Sequence, residues 1–143
     1  MSKFEGPVQE ALLALMVTAS GLRSEFDRTL ACHGLTGEQF NILRILRGHP
    51  EGHQCGEIAN RMIDRSPDVT RRIDALEKQG LVERERSTED KRVVNVCITR
   101  KGLDVLDAIT PIMKEFEGKV AGNLSEDELR ELVVLCEKFM EIS

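Results

Sequence analysis

The chain has 143 residues, which fits one globular domain and leaves little room for two. Hydrophobic residues make up 41% and charged residues 31%, which excludes a disordered or fibrous protein. The net charge of −5 at first argues against a nucleic-acid partner, but the charge is unevenly distributed. Residues 55–102 hold eleven Lys/Arg and nine Asp/Glu, whereas the other 95 residues hold nine and sixteen. The middle third is therefore weakly basic, and the two ends are acidic.

Compartment and membrane contact are indicated by what the sequence lacks. No apolar run approaches the roughly 18 residues that a membrane helix requires, and the first ten residues do not resemble a signal peptide. The four cysteines are scattered without a CxxC pair, so a disulfide framework is not expected. They are Cys32, Cys55, Cys97 and Cys136. We therefore expect a cytoplasmic protein with reduced thiols and no membrane contact.

The first half of the chain has helical periodicity. Apolar residues recur every three or four positions over residues 8–31, which predicts one long amphipathic helix. Thr36 and Gln39 have the spacing of a capping box and predict the start of a second helix. A third, short helix fits residues 56–63, and its predicted inward residues are Ile58, Ala59, Met62 and Ile63.

The fourth helix is predicted from Ser66–Pro67, a capping residue followed by proline at the first helical position, to about Gln79. Gly80 provides its stop. The apolar period then changes from 3.6 to 2, which predicts two short strands joined by a charged hairpin tip at residues 87–92. The expected inward residues of the fourth helix are Val69, Ile73 and Leu76.

Helical periodicity returns after Thr99, and Pro111 is expected to kink or break this helix locally. Ser125 and Glu128 form another capping box before a last helix. The predicted fold is mainly α with a small two-stranded β-wing. We expect one domain over residues 1–143, with a winged helix-turn-helix at 35–102 and flanking helices at 8–31 and 103–142. Those flanking helices carry more apolar surface than so small a core can cover, which predicts a homodimer.

The middle third has the parts that DNA binding requires. The major groove admits one α-helix, which must present polar side chains outward. Arg72 would contact phosphates from the flank of this helix, and Lys91 and Arg92 at the hairpin tip suit the negative potential of a narrow minor groove. The outward candidates on the fourth helix are Ser66, Asp68, Thr70, Arg71 and Asp74.

Three segments, in order, resemble the MarR family of bacterial transcriptional regulators. Residues 35–43 (LTGEQFNIL) resemble the start of the family's second helix, and residues 69–84 (VTRRIDALEKQGLVER) its recognition helix and the turn into the wing. Residues 90–102 (DKRVVNVCITRKG) match the wing signature, with Ile98 in place of the usual Leu. The resemblance covers about residues 8–140.

This resemblance implies a homodimer, joined through the N- and C-terminal helices, that binds a pseudo-palindromic operator in double-stranded DNA. Family members usually repress nearby genes, and many release DNA when a small aromatic acid or another ligand binds. The resemblance also implies that Arg92 enters the minor groove and that Asp90 holds it by an ion pair. Phe40 and Arg44 are the residues expected to line an effector site.

Other interpretations stay open at this point. The acidic pI of about 5.3 would suit a winged-helix module for protein assembly. Thiol-based redox sensing is a further alternative, with Cys55 near a helix start, whereas Cys97 and Cys136 are expected in the core. The three histidines are expected in solvated loops, and we predict neither a metal site nor a cofactor. No nucleophile motif or phosphate-binding loop is present, so an enzyme is not predicted.

Overall fold

The computed structural model describes residues 5–63, 68–139 and 141 of the chain. Its element order confirms the predicted fold, six helices with a two-stranded antiparallel sheet between the fourth and the fifth. The elements are α1 (Pro7–Ala31), α2 (Gly37–Arg47), α3 (Cys55–Arg61), α4 (Val69–Lys78), β1 (Val82–Arg86), β2 (Val94–Ile98), α5 (Arg100–Ala121) and α6 (Glu126–Phe139).

The hydrophobic core surrounds α2. Its start is fixed by the predicted capping box, in which the Thr36 hydroxyl accepts a hydrogen bond from the Gln39 amide and the Gln39 side chain accepts one from the Thr36 amide. Asp27 of α1 accepts a further bond from the Gly37 amide at 2.7 Å. Helices α3, α4 and α5 and the sheet pack against α2. Side chains with no exposed surface in this core include Ile42, Leu43, Leu46, Ile58, Ile73, Leu76, Val96 and Ile109.

The end of α4 is held tightly by the start of α5. Gly80 has φ +78°, the left-handed conformation that ends a helix and that glycine adopts without strain. Its carbonyl accepts a 2.6 Å hydrogen bond from the Thr99 hydroxyl, and the Gln79 carbonyl accepts one from the Lys101 ammonium at 2.9 Å. Thr99 also caps α5 by accepting from the Gly102 amide. The fourth helix, the wing and α5 are therefore joined at one corner.

The flanking helices leave much apolar surface uncovered within the chain. α6 has no buried residue, α1 buries only Leu30 among its described positions, and the second half of α5 has none. Phe26 contacts Phe40 and Phe116, with ring centroids 5.6 and 5.7 Å apart, and so joins α1, α2 and α5. Exposed apolar side chains on α1 and α6 include Val8, Leu12, Met16, Val17, Leu132, Val133, Val134 and Leu135.

Two predictions about individual residues were wrong. Ile63 was expected inward, yet it is 79% exposed, because α3 ends at Arg61 and Met62 is extended, so the helical period no longer applies. Cys136 was expected in the core, but α6 has no buried position in the described part of the chain, and Cys136 is exposed. At Pro111 the expectation was a kink or a break, and the break is absent, because α5 is continuous from Arg100 to Ala121. The kink stays a prediction: the Asp107 carbonyl, which loses its helical donor, lies on the exposed side.

His53 is a further correction, because it was expected in a solvated loop and is buried. Its backbone forms a bridge with Val96, with N–H···O distances of 3.1 and 2.8 Å, and so adds a short third segment to the sheet. Its Nδ1 lies 2.9 Å from Glu57, and its ring centroid lies 4.1 Å from that of His49. Strand structure is therefore not confined to the two predicted strands.

Substitution of Gly102 tests how closely the start of α5 approaches the chain segment after α4. A Cβ at this position would overlap the Leu81 carbonyl oxygen and lie 2.7 Å from Ile98 Cγ1, so Gly102→Ala should lower the free energy of unfolding by roughly 1–3 kcal/mol. Gly118→Ala on the same helix is the control. Nothing lies within 4 Å of a Cβ at Gly118, so Gly118→Ala should raise the free energy of unfolding by roughly 0.5–1 kcal/mol. Urea titration measures both. Equal stability of the two variants would contradict the close approach.

Candidate nucleic-acid interface

The outer face of α4 is polar and open. Val69, Ile73 and Leu76 are buried on the inner face, as predicted. Arg71 is 81% exposed at its side chain and contacts Asp68 at 3.3 Å, one turn earlier in sequence. Asp68, Thr70 and Asp74 are also exposed. Ser66, the remaining predicted contact on this helix, lies outside the described residues.

Arg72 occupies the flank of α4. Its guanidinium forms an ion pair with Glu38 of α2, and a quarter of the side chain is exposed. Arg72 therefore braces α4 against α2 while part of its own side chain stays accessible.

The wing tip is a tightly bonded turn. The Ser87 hydroxyl accepts hydrogen bonds from the amides of Glu89 and Asp90. Two backbone hydrogen bonds close the loop: the Ser87 amide donates to the Val93 carbonyl at 2.8 Å, and the Val93 amide donates to the Asp90 carbonyl at 3.0 Å. The exposed residue Lys91 accepts a hydrogen bond at its carbonyl from Arg86, at 2.6 Å. Lys91 and Arg92 are therefore carried by a turn whose backbone is held by hydrogen bonds.

Arg92 extends from this tip and is 91% exposed at its side chain. The Asp90 carboxylate accepts three hydrogen bonds from Arg92: from Nε at 3.2 Å, from Nη2 at 3.4 Å and from the backbone amide at 3.0 Å. These bonds from Arg92 hold the pKa of the Asp90 carboxyl below its ordinary value. Asp90 therefore stays ionised at neutral pH and loses its pairing only when the pH falls through that lowered pKa.

Sequence reasoning missed Arg84, on β1. Its guanidinium donates to Asp74 at 2.6 Å and to Glu77 at 2.8 Å, both on α4. Partial burial disfavours the charged form, but the bonds to these two carboxylates outweigh it, and the pKa of Arg84 is raised. Asp74, predicted to point outward, is thus paired with the wing strand. The available signal was the i, i+3 spacing of the two carboxylates on α4.

A cleft of about 210 Å³ lies between α2 and α5. Both predicted effector residues line it: Phe40 is buried and Arg44 is exposed. Arg47 also lines the cleft and forms a 2.8 Å ion pair with Asp107. The remaining lining residues are Leu106, Thr110, Met113 and Glu117.

Comparison with known proteins decides the family. The MarR family model matches residues 35–94. An uncharacterised HTH-type transcriptional regulator of Bacillus subtilis (strain 168), YkoM, is 33% identical over 139 residues, which span 94% of this chain and 88% of that protein. This protein belongs to the MarR family.

Solved structures agree with this assignment. A MarR transcription factor from Planctomyces limnophilus is 38% identical, with a TM-score of 0.72, over 94% of this chain and 98% of that one. MepR of S. aureus, solved as a complex with DNA, is 26% identical, with a TM-score of 0.77, over 91% and 95%. The chain is therefore a MarR-family transcriptional regulator with a DNA-binding winged helix-turn-helix fold.

Neither a metal-ligand cluster nor a membrane-spanning helix occurs in the part of this MarR-family chain that the structure describes. No group of three or more His, Cys, Asp or Glu side chains there is arranged to hold a metal ion. No helix within residues 5–63, 68–139 and 141 is long and apolar enough to cross a bilayer.

Cys32 and Cys97 differ in solvent exposure, which bears on redox sensing. Cys97 is buried beside Glu51, as expected of a core residue, and burial, followed by the negative charges of Glu85 and Glu83, raises the pKa of its thiol. Cys32 is exposed on the turn after α1. Since the thiolate is the reactive form, Cys97 is poorly suited to react with oxidants.

Alkylation rates test this difference. At pH 8, iodoacetamide should modify Cys32 at least about ten-fold faster than Cys97 in the folded protein, and urea should remove the difference. Peptide mass spectrometry assigns a rate to each cysteine, which separates Cys32 from Cys136, the other exposed thiol. Rapid alkylation of Cys97 in the native protein would contradict its buried, protonated state.

Proposed function

We propose that this protein is a homodimeric repressor that binds a pseudo-palindromic operator and releases it when a small aromatic or acidic effector binds. The observation that carries the proposal is that two separate elements each present an exposed arginine: α4 presents Arg71 and the wing presents Arg92. The family resemblance supports repression, and the solved complex of MepR with DNA supports the DNA partner. Its site of action would be the cytoplasm, where the operator lies.

The two arginines are assigned different roles. An Arg fork bonds guanine bidentately in the major groove, which suits Arg71 on the recognition helix. The minor groove distinguishes little more than A·T from G·C pairs, so Arg92 adds affinity more than sequence choice. Thr70 and Asp68 lie beside Arg71 at the groove, Arg72 and Lys91 contact phosphates, and Asp90 aims Arg92.

Selection from fragments of the source genome, followed by footprinting, tests the overall function. We expect the protein to retain a fragment with two half-sites about 10 bp apart, because a two-fold dimer projects two recognition helices. Failure to retain any fragment above the background of scrambled DNA would favour a protein-assembly module.

Substitution of the two arginines tests their roles. Arg71→Ala should reduce discrimination at one base position per half-site by about 1–3 kcal/mol. Arg92→Ala should weaken binding to operator and scrambled DNA alike, and should lower the salt slope by about one unit for each cation removed from the DNA surface. Asp90→Ala should resemble a milder Arg92→Ala.

The control is Arg28→Ala on α1, which removes the same charge from an exposed side chain. Affinities at several salt concentrations for all four variants separate local contact from net charge. If Arg92→Ala binds the operator as tightly as the Arg28→Ala control, the wing does not contact the DNA.

The dimer is proposed to form through α1, α5 and α6. The support is the uncovered apolar surface of these helices, since contiguous patches of this kind mark association sites. The domain assignment follows: residues 8–31 and 103–142 associate, and residues 35–102 bind DNA.

A charge on α6 tests the dimer. Leu132 is 46% exposed and lies outside the core formed by the described residues, so Leu132→Asp should dissociate the dimer while leaving the protomer folded. Glu131→Lys, on the adjacent exposed position, should leave assembly intact. Sedimentation velocity at micromolar concentration measures both. A wild-type monomer under these conditions would overturn the proposed assembly.

The effector is proposed to occupy the cleft between α2 and α5. Its apolar wall (Phe40, Leu106 and Met113) suits a single aromatic ring, and Arg44 at its edge suits a carboxylate. Arg47 is already paired with Asp107, which leaves Arg44 as the better partner for an anion.

Thermal shift tests this site. Benzoate and its hydroxylated derivatives at millimolar concentration should raise the melting temperature, because a ligand that binds only the folded state stabilises it. Benzamide, which lacks the charge, should have less effect, and Arg44→Ala should abolish the difference between the two. An unchanged preference for benzoate in Arg44→Ala would exclude this cleft.

A further inference from the structure

Arg84 connects the recognition helix to the wing. It lies in β1, and its side chain donates to Asp74 Oδ1 and to Glu77 Oε1 of α4. The other Glu77 oxygen accepts from the Arg84 backbone amide at 3.2 Å. One residue of the wing thus makes three hydrogen bonds to two carboxylates of the helix.

These carboxylates share a face of α4 with a predicted DNA contact. Thr70, Asp74 and Glu77 are spaced by four and three residues, so they lie in one row along the helix. The wing strand covers the C-terminal end of this row through Arg84, whose side chain is only 24% exposed. The N-terminal end, with Thr70 and Arg71, remains open.

The geometry of the guanidinium matters as well as its charge. A planar fork with several donors bonds two carboxylates in fixed directions, whereas a lysine ammonium is a point charge on a flexible stem. Asp74 and Glu77 come from successive turns of α4, so bonding both fixes the rotation of β1 about the helix as well as its distance.

We infer that Arg84 is a positioning residue for DNA recognition, which sets the angle between α4 and the wing so that both grooves are engaged at once. The inference rests on the proposed function, because it requires Arg71 and Arg92 to act on the same DNA. Arg84 itself contacts the protein and reads no base.

DNA affinity provides the first test, with Arg84→Lys and the operator fragment obtained by selection. The variant should bind the operator about ten-fold more weakly, the scale of one missing charge-assisted hydrogen bond. Its salt slope should match that of wild type, because every phosphate contact is retained. Arg100→Lys, an exposed arginine with an i, i+4 partner in its own helix, is the control and should bind normally.

Measurements well below the melting temperature of each variant separate positioning from stability. A merely structural role would lower the melting temperature of Arg84→Lys and leave its operator affinity intact. Full operator affinity in Arg84→Lys would mean that charge alone suffices and would overturn the inference. A reduced salt slope would also overturn it, since Arg84 would then be a phosphate contact.

Hydrogen exchange without DNA provides the second test. Amides of residues 69–78 and 82–86 should exchange faster in Arg84→Lys and in Asp74→Asn/Glu77→Gln, and combining the changes should add little because they break the same bonds. Unchanged exchange would overturn the connection between helix and wing. Because this test needs no DNA, it gives a result even if selection retains no fragment, an outcome that would count against the proposed function instead.

Discussion

The burial of α2 is the constraint on which the rest of the structure depends. This helix of eleven residues has seven buried positions, from Gly37 to Leu46, so nearly every side of it faces protein. Helices α3 and α4, the sheet and α5 are each placed by packing against it. Its two ends are fixed by polar contacts: the Thr36–Gln39 capping box and Asp27 hold the first turn, and Arg47 bonds α5 at the last. The surfaces proposed to contact DNA, on α4 and on the wing, are therefore arranged around a helix that is itself mostly buried.

Local signals explain which parts of the fold could be predicted from sequence. Capping boxes at Thr36 and Ser125, the stop at Gly80 and the change of period after Leu81 depend on neighbouring residues, and all appear in the structure. Long-range contacts carry no such pattern. The burial of His53 depends on Val96, more than forty positions away in the chain, and the bonds of Arg84 to α4 depend on how the hairpin folds back.

The candidate site divides in the same way. The exposure of Arg71 follows from helical periodicity, because the buried Ile73 turns it outward. The ion pair of Arg92 with Asp90 was implied by the family resemblance and is present in the structure. The direction of Asp74 could not be predicted, since helical periodicity places it outside but does not show that a strand lies over it. The exposure of α6 is likewise a property of the single chain, and the apolar pattern alone does not separate a core seam from an association surface.

Pro111 has a mechanical consequence for α5. A helix resists bending because successive carbonyl-to-amide bonds act in parallel along its wall, and proline removes one of these bonds. The missing bond lies on the exposed side at Asp107, level with the cleft residues Thr110 and Leu106. The stiffness of α5 is therefore lowest beside the cleft, between the half of the helix that packs in the winged-helix core and the half that does not. A bend of α5 at this point would change the direction of its second half relative to the winged-helix core.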